Sequence, residues 1–180
     1  MALLMEENDI EKFDLIHISM LILHLKNPLR LLQKLRLLLK KGGAIFIRDI
    51  DDTLNFAYPD PHGYFQRAYR ICDYEELSGF RNSGKEIHSL LVKAGFHNVR
   101  LRKKGIDTSG MTSEEREVLF LTYFSFILED IRVLAKKYPG NKRYAEDSRW
   151  FESVYEGMKE SFGKEDFLFN LGFMTYTAEK

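Results

Sequence analysis

The chain has a single cysteine, Cys72, in 180 residues. That excludes an internal disulfide and any cysteine-rich zinc site, and it suits a reducing, cytoplasmic setting. There is no excess of charge of either sign, because Lys plus Arg and Asp plus Glu both number 27. Without a net field, nothing concentrates nucleic acid or anionic lipid on the surface. No apolar run reaches the roughly 18 residues that a membrane-spanning helix needs. The start, MALLMEENDIEKF, turns acidic early and lacks the basic residues that open a secretory signal. The five histidines contain no i, i+4 pair, so a helical zinc pair is missing too. Internal repeats, low-complexity tracts and linkers are equally absent. What is present, 44% apolar and 30% charged residues, predicts one soluble globular domain over residues 1–180.

The order of elements can be read from periodicity and punctuation. FDLIHISMLIL begins as a buried parallel strand, and NPLRLLQKLRLLLKKGG follows with helical spacing. Asn27 is placed to cap that helix with Pro28 at its first position, and Gly42 and Gly43 read as its stop. AIFI is then a second buried strand. Strand, helix and strand with short connections predict a right-handed crossover and parallel neighbours. Residues 53–79 read as irregular at first and helical from His62. A helix from near Ser83 to Gly95 hands over to the strand NVRLRKK. A long helix runs from Ser113 to Tyr138, acids first and lysines last. In its middle, Val118 to Leu128 leave hardly any polar face, so it is buried on most sides or meets another chain. RYAEDSRWFESVYEGMKESF is a further helix, its apolar stripe formed by Trp150, Phe151, Val154, Tyr155, Met158 and Phe162. FLFNLGFMTY closes the chain as a strand.

One string invites a chemical reading. AIFIRDIDDTLNF ends an apolar run in Asp49, Asp51 and Asp52, and it resembles the nucleophile loop of haloacid dehalogenase-like phosphohydrolases. In that family the first Asp attacks phosphorus, the Asp two places on is the general acid or base, and Mg²⁺ gathers the oxygens. The family also needs a downstream strand ending in Ser or Thr, a Lys, and a later acidic pair at a strand end. Lys164, Glu165 and Asp166 precede the last strand instead of following one, and everything before Ala44 goes unexplained. A solvated acidic turn is the plainer reading.

A second resemblance accounts for more of the chain. FDLIHISMLILHLKNPLRLLQKLRLLLKKGGAIFIRDID is similar to the segment from the fourth to the fifth strand of class I S-adenosylmethionine-dependent methyltransferases: FDLI, LHL, NP opening the helix, and LLKKGG before an apolar strand. SLLVKAGFHNVRL resembles the helix and sixth strand of that fold, and the terminal strand fits its antiparallel seventh. The similarity covers about three quarters of the chain; each string is weak and their order is specific. It implies an α/β fold with a partial Rossmann-like methyltransferase sheet, strands ordered 4-5-7-6 with the last antiparallel, and a helical insert at residues 111–165. It implies methyl transfer from S-adenosylmethionine to a small-molecule acceptor.

The family's Gly-rich turn after its first strand and its ribose-binding acid after the second lie upstream of the fourth strand, where this sequence has only residues 1–12. By the resemblance the chain is a C-terminal portion of the fold. A truncated product, one half of a split enzyme and a non-catalytic binding or assembly module all stay open. Weak or no cofactor binding by this chain alone follows. An unpaired edge on Phe13–Ile18 would template association, so a two-fold dimer or a complementary N-terminal half is expected through that edge or the helix near Phe120–Leu128.

Ligands of open α/β sheets lie beyond the carboxyl ends of the strands. The resemblance therefore puts His17, Ile18, Ser19 and Met20 at the methionine end of the cofactor. It puts His24, Arg48, Asp49 and Asp51 near the acceptor, as orienting groups or a base. Strand-end polar groups satisfied within the fold are the alternative for each. No third ligand is spaced to join Asp49 and Asp51, so no metal is expected.

Overall fold

The computed structural model describes residues 10–74, 76, 77 and 79–180. They form five strands and five α-helices: β1 (Phe13–Ser19), α1 (Pro28–Leu38), β2 (Leu39–Ile50), β3 (Phe56–Tyr58), α2 (Tyr64–Cys72), α3 (Ile87–Lys93), β4 (His97–Asp107), α4 (Ser113–Lys137), α5 (Lys142–Gly163) and β5 (Leu168–Glu179). Two compact units result. One holds the described residues up to Thr53 with Arg81–Lys104 and Gly172–Lys180, and the other holds Leu54–Phe80 and Gly105–Leu171.

In the first unit β1 and β2 are parallel, with His17 opposite Phe46, Ile18 opposite Ile47 and Ser19 opposite Arg48. β5 runs antiparallel on the other side of β2, Arg48 opposite Thr175 and Asp49 opposite Met174, and β4 also pairs with β5. This is the 4-5-7-6 order with an antiparallel seventh strand that the resemblance implies. The pleat of β2 sorts its side chains, as a period of two must. Ile45, Ile47 and Asp49 are fully buried, while Ala44, Phe46 and Arg48 are only partly covered. α1 buries Leu32, Leu35 and Leu38, and it packs on β2 and α3. Asn27 caps it as expected, its side chain accepting the Arg30 N–H at 3.1 Å, with Pro28 at the first position.

The stop of α1 differs from the expectation. The helix ends at Leu38, and Leu39 is already extended and opposite Phe13 in the sheet. Gly42, at φ +74°, and Gly43 lie where the β1–β2 register shifts, between the Phe13 and Leu15 pairings. Burial of Leu39 and the Lys40 to Asp14 ion pair at 2.9 Å draw these residues into the sheet before the glycines are reached. At Gly95 the expectation holds: φ is +90°, a conformation costly for any side chain, and its N–H caps the Val92 carbonyl.

In the second unit the short strand β3, which the sequence does not announce, pairs with Leu168–Asn170 of β5. α4 starts in a capping box: Thr112 accepts the Glu115 N–H and Glu115 accepts the Thr112 N–H. Its apolar run is one-sided after all. Phe120, Tyr123, Phe124, Ile127 and Leu128 are buried, whereas Val118 and Leu121 are exposed. The buried rings meet Tyr155 and Phe162 of α5, Phe65 of α2 and Phe169 of β5 in one aromatic core, with Phe120 and Phe124 centroids 5.0 Å apart.

Candidate functional site

The carboxyl ends of β1 and β2 lie side by side because the strands are parallel and in register there. Met20, just beyond β1, has a left-handed backbone at φ +53° and donates its N–H to the Arg48 carbonyl at 2.9 Å. The chain then enters a short 3-10 turn, Ile22–His24, whose Ile22 and Leu23 are buried and whose His24 is exposed. Asp49 fastens this turn to β2. One carboxylate oxygen accepts the Leu23 N–H at 3.3 Å and the other accepts the Ile50 N–H at 3.1 Å. Ser19, Met20, His24, Arg48 and Asp49 are thereby brought to one end of the parallel pair. The Arg48 guanidinium rests 4.2 Å from the centre of the Phe173 ring, which fixes its direction.

The other candidates are placed differently. Ile18 is buried in the core. His17 meets Phe46 edge to face at 4.9 Å and, with Leu15, Ala44, Ile45, Phe46 and Thr177, lines a groove of about 330 Å³ on the partly covered face of the sheet. Asp51 is turned away into the fold. It accepts the Thr53 N–H at 3.1 Å, the Thr53 hydroxyl, and the Lys85 N–H at 3.0 Å. Gly84 is required beside it, since a Cβ there would stand 2.7 Å from the Asp51 carboxylate. Asp52 forms a two-point ion pair with Arg81, at 2.6 and 3.0 Å.

The expectation of a solvated acidic turn is thus overturned: Asp49 and Asp51 are fully buried, and Asp52 nearly so. Backbone N–H groups and one guanidinium bring water's role inside the fold, and buried carboxylates persist only with such partners. Arg81, Gly84 and Lys85 were the residues that the sequence did not single out. Lys85 acts through its backbone N–H and Gly84 through the lack of a Cβ, neither of which leaves a side-chain signal, and Arg81 lies 29 positions from its partner. Among the described residues no group of three His, Cys, Asp or Glu stands where it could hold a metal ion.

Burial pushes the Asp49 carboxyl above its ordinary value, against the backbone N–H groups and nearby His24, which pull it down. A raised folded-state value means that the native state holds the proton more tightly than the unfolded chain. The stability from this group is therefore fully present below the unfolded value, about 3.9, and is lost as pH rises through the raised folded one. Relative to Asp49→Asn, which does not titrate, wild type should lose stability as pH rises from the unfolded value of about 3.9 through the raised folded one. Urea unfolding of both proteins in acid and at neutral pH measures this, and a difference that does not move with pH would refute it.

Comparison with known proteins follows the same lines. A family described as a methyltransferase domain matches residues 4–101. No curated protein sequence matches the chain. Among solved structures, a protein assigned as a methyltransferase from Bacillus halodurans C-125 is 16% identical, with a TM-score of 0.50 over 98% of this chain and 73% of that one. The YcgJ protein from Bacillus subtilis is 13% identical, with a TM-score of 0.49 over 95% of this chain and 65% of that one. Phosphoethanolamine N-methyltransferase 2 from Haemonchus contortus, solved with phosphomonomethylethanolamine and S-adenosylhomocysteine, is 16% identical, with a TM-score of 0.45 over 96% of this chain. The chain spans about a third, 34%, of that enzyme's length. At 16% identity the likeness to the Bacillus halodurans protein speaks for the fold alone. The family match covers more than half of the sequence, and the strand order read above agrees with it: this chain belongs to the methyltransferase-domain family.

Proposed function

We propose that the chain supplies the acceptor-side portion of an S-adenosylmethionine-dependent methyltransferase acting on a small molecule. The observation that carries this reading is the gathering of Ser19, Met20, His24, Arg48 and Asp49 at the carboxyl ends of a parallel strand pair, where ligands of such sheets bind. Ser19 is exposed and His24 is exposed, so a hydroxyl and an imidazole are available to polar groups of a ligand. The fit to the cofactor is partial. A ribose diol calls for an accessible carboxylate, and Asp49, Asp51 and Asp52 are buried and committed to internal partners. These residues suit the methionine end of S-adenosylmethionine and not its adenosine end. When bound, the cofactor supplies the methyl group; the part of this chain would be to orient the acceptor, with Arg48 fixed on Phe173 and His24 held by the Asp49-anchored turn. Residues 111–165, which contain α4 and α5 between β4 and β5, are read as the insert on this fold, and the setting as cytoplasmic.

A non-catalytic assembly module is the second reading, and the exposed edge favours it. Among the described residues β1 pairs only with β2, and its Phe13 and Leu15 are 42% and 60% exposed. Such an edge invites a further strand from a complementary segment or a second copy. Calorimetry and sedimentation on one sample test both readings. S-adenosylmethionine binding by this chain alone should be weak or undetectable, and tight one-to-one binding would overturn the partial fit. The chain should associate at tens of micromolar, and a monodisperse monomer would remove the assembly reading.

A further inference from the structure

The second unit carries a cluster that owes nothing to the strand ends. Arg67 and Arg70 of α2, Tyr74 just beyond it, and Arg143 and Asp147 of α5 line a cavity of about 160 Å³. Asp147 is the one carboxylate in this lining. One of its oxygens accepts Arg67 at 2.8 and 3.3 Å, and the other accepts the buried Tyr74 hydroxyl. Burial and the Asp147 carboxylate both push the Tyr74 phenol up, so it stays protonated and keeps donating. An interhelical brace explains this trio. It does not explain Arg70 and Arg143, for neither of which a carboxylate partner is found among the described residues. Glu76, in the adjoining cleft with Arg143, has its carboxylate taken up by the Tyr144 hydroxyl.

Three guanidiniums thus line a cavity with one fully engaged carboxylate, and among the described residues Arg70 and Arg143 have no carboxylate partner. Two of the three forks are also held in place by aromatic faces. Arg67 lies 4.1 Å from the Trp150 ring centre and Arg143 lies 4.8 Å from that of Tyr74. Stacked guanidiniums lose little freedom when they bind, and their planar donor pairs match the oxygens of a phosphate better than any single ammonium does. The size is informative as well. Pockets for drug-sized ligands run from about 300 Å³ upward, so this one suits a single small anionic group.

We propose that this cleft binds phosphate, either as the free ion or as the head group of a small phosphomonoester. The proposal is independent of the methyltransferase reading, since it uses none of the residues at the ends of β1 and β2. The test is titration of the whole chain with inorganic phosphate at constant ionic strength, followed by calorimetry and by the arginine side-chain N–H resonances. Saturable binding is expected, with Arg67, Arg70 and Arg143 signals shifting together. Arg70→Gln and Arg143→Gln, both at exposed positions, should keep the fold by circular dichroism and each weaken binding about tenfold; the double variant should abolish it. Arg132→Gln, which alters an exposed ion pair with Glu152, should leave binding unchanged. Glycerol 3-phosphate separates the two sources: tighter binding of the ester assigns the cleft to phosphomonoesters, and tighter binding of the free ion assigns it to phosphate. Absence of saturation with both, or equal binding by wild type and the double variant, would overturn the proposal.

Discussion

Replacement of Arg116 by methionine is expected to destabilise the second unit by about 3–5 kcal/mol, one of the two largest single-residue effects anticipated in this chain. Arg116 sits in the first turns of α4 and is only 6% exposed. Its guanidinium donates to backbone carbonyls: Phe162, Lys164 and Phe167 at 3.4, 2.9 and 2.8 Å from one nitrogen, and Thr108 at 2.8 Å from the other. Phe162 and Lys164 lie at the end of α5, where unsatisfied carbonyls and the negative pole of the helix dipole favour a cation. One side chain therefore closes the end of α5, the turn into β5 and the start of the loop before α4. Methionine keeps much of the volume and none of the donors, so it leaves buried acceptors without their partner. Lysine restores the charge but cannot span carbonyls on both sides of a planar fork, and it should recover less than half of the loss. Urea unfolding with an unchanged slope measures both variants. A loss under about 1 kcal/mol for Arg116→Met would mean that water reaches these carbonyls, and the clamp would be discarded.

Arg116 also marks where sequence reading stops. In SEEREVLFL an arginine among acids reads as a surface ion pair of neighbouring helical turns, and nothing local points to carbonyls 46 to 51 positions away. The features that were legible are those with local causes. Asn27 and Pro28 start α1, the acids after Thr112 start α4, Gly95 stops α3, and the apolar run AIFI and the alternation in FLFNLGFMTY place strands. The α1–β2 boundary was misplaced because Leu39 leaves the helix for tertiary reasons, its burial and its pairing with Phe13. β3 escaped notice because three residues are too few to show a period, and they are extended only through Leu168–Asn170.

The candidate site divides in the same way. That the ends of β1 and β2 would be neighbours followed from the crossover argument, and the register sets Ser19 opposite Arg48 there, while His17, Ile18 and Asp51 are placed elsewhere. What the carboxylates do there was not legible. Their charge suggested exposure, whereas each is consumed by a partner whose position only the folded chain defines: the Leu23 N–H for Asp49, the Lys85 N–H for Asp51, and Arg81 for Asp52. The groups left free to serve the proposed acceptor role are therefore fewer than the string DIDD suggests, and in that proposal Arg48 and His24 carry more of it.

The Asp52 and Arg81 pair should give the other large effect, and a double-mutant cycle isolates it. Both side chains are 6% exposed, the two hydrogen bonds measure 2.6 and 3.0 Å, and the Asp52 N–H also donates to the Arg81 carbonyl at 3.2 Å. Taking either ion out of water is costly, and their mutual attraction in this geometry offsets that cost. Removing either one takes away the other's two-point charged contact in a buried setting, so Asp52→Asn and Arg81→Met should each cost about 3–5 kcal/mol. Removing both leaves neither charge without the other, and the double variant should cost about 2–3 kcal/mol less than the sum of the singles. The consequence reaches the proposed site because this pair and Asp51 together tie the exit of β2 to residues 81–86, only a few positions beyond Arg48 and Asp49. Additive single effects of under about 1 kcal/mol would mean that the pair is hydrated in solution, and the exit of β2 would then need another anchor.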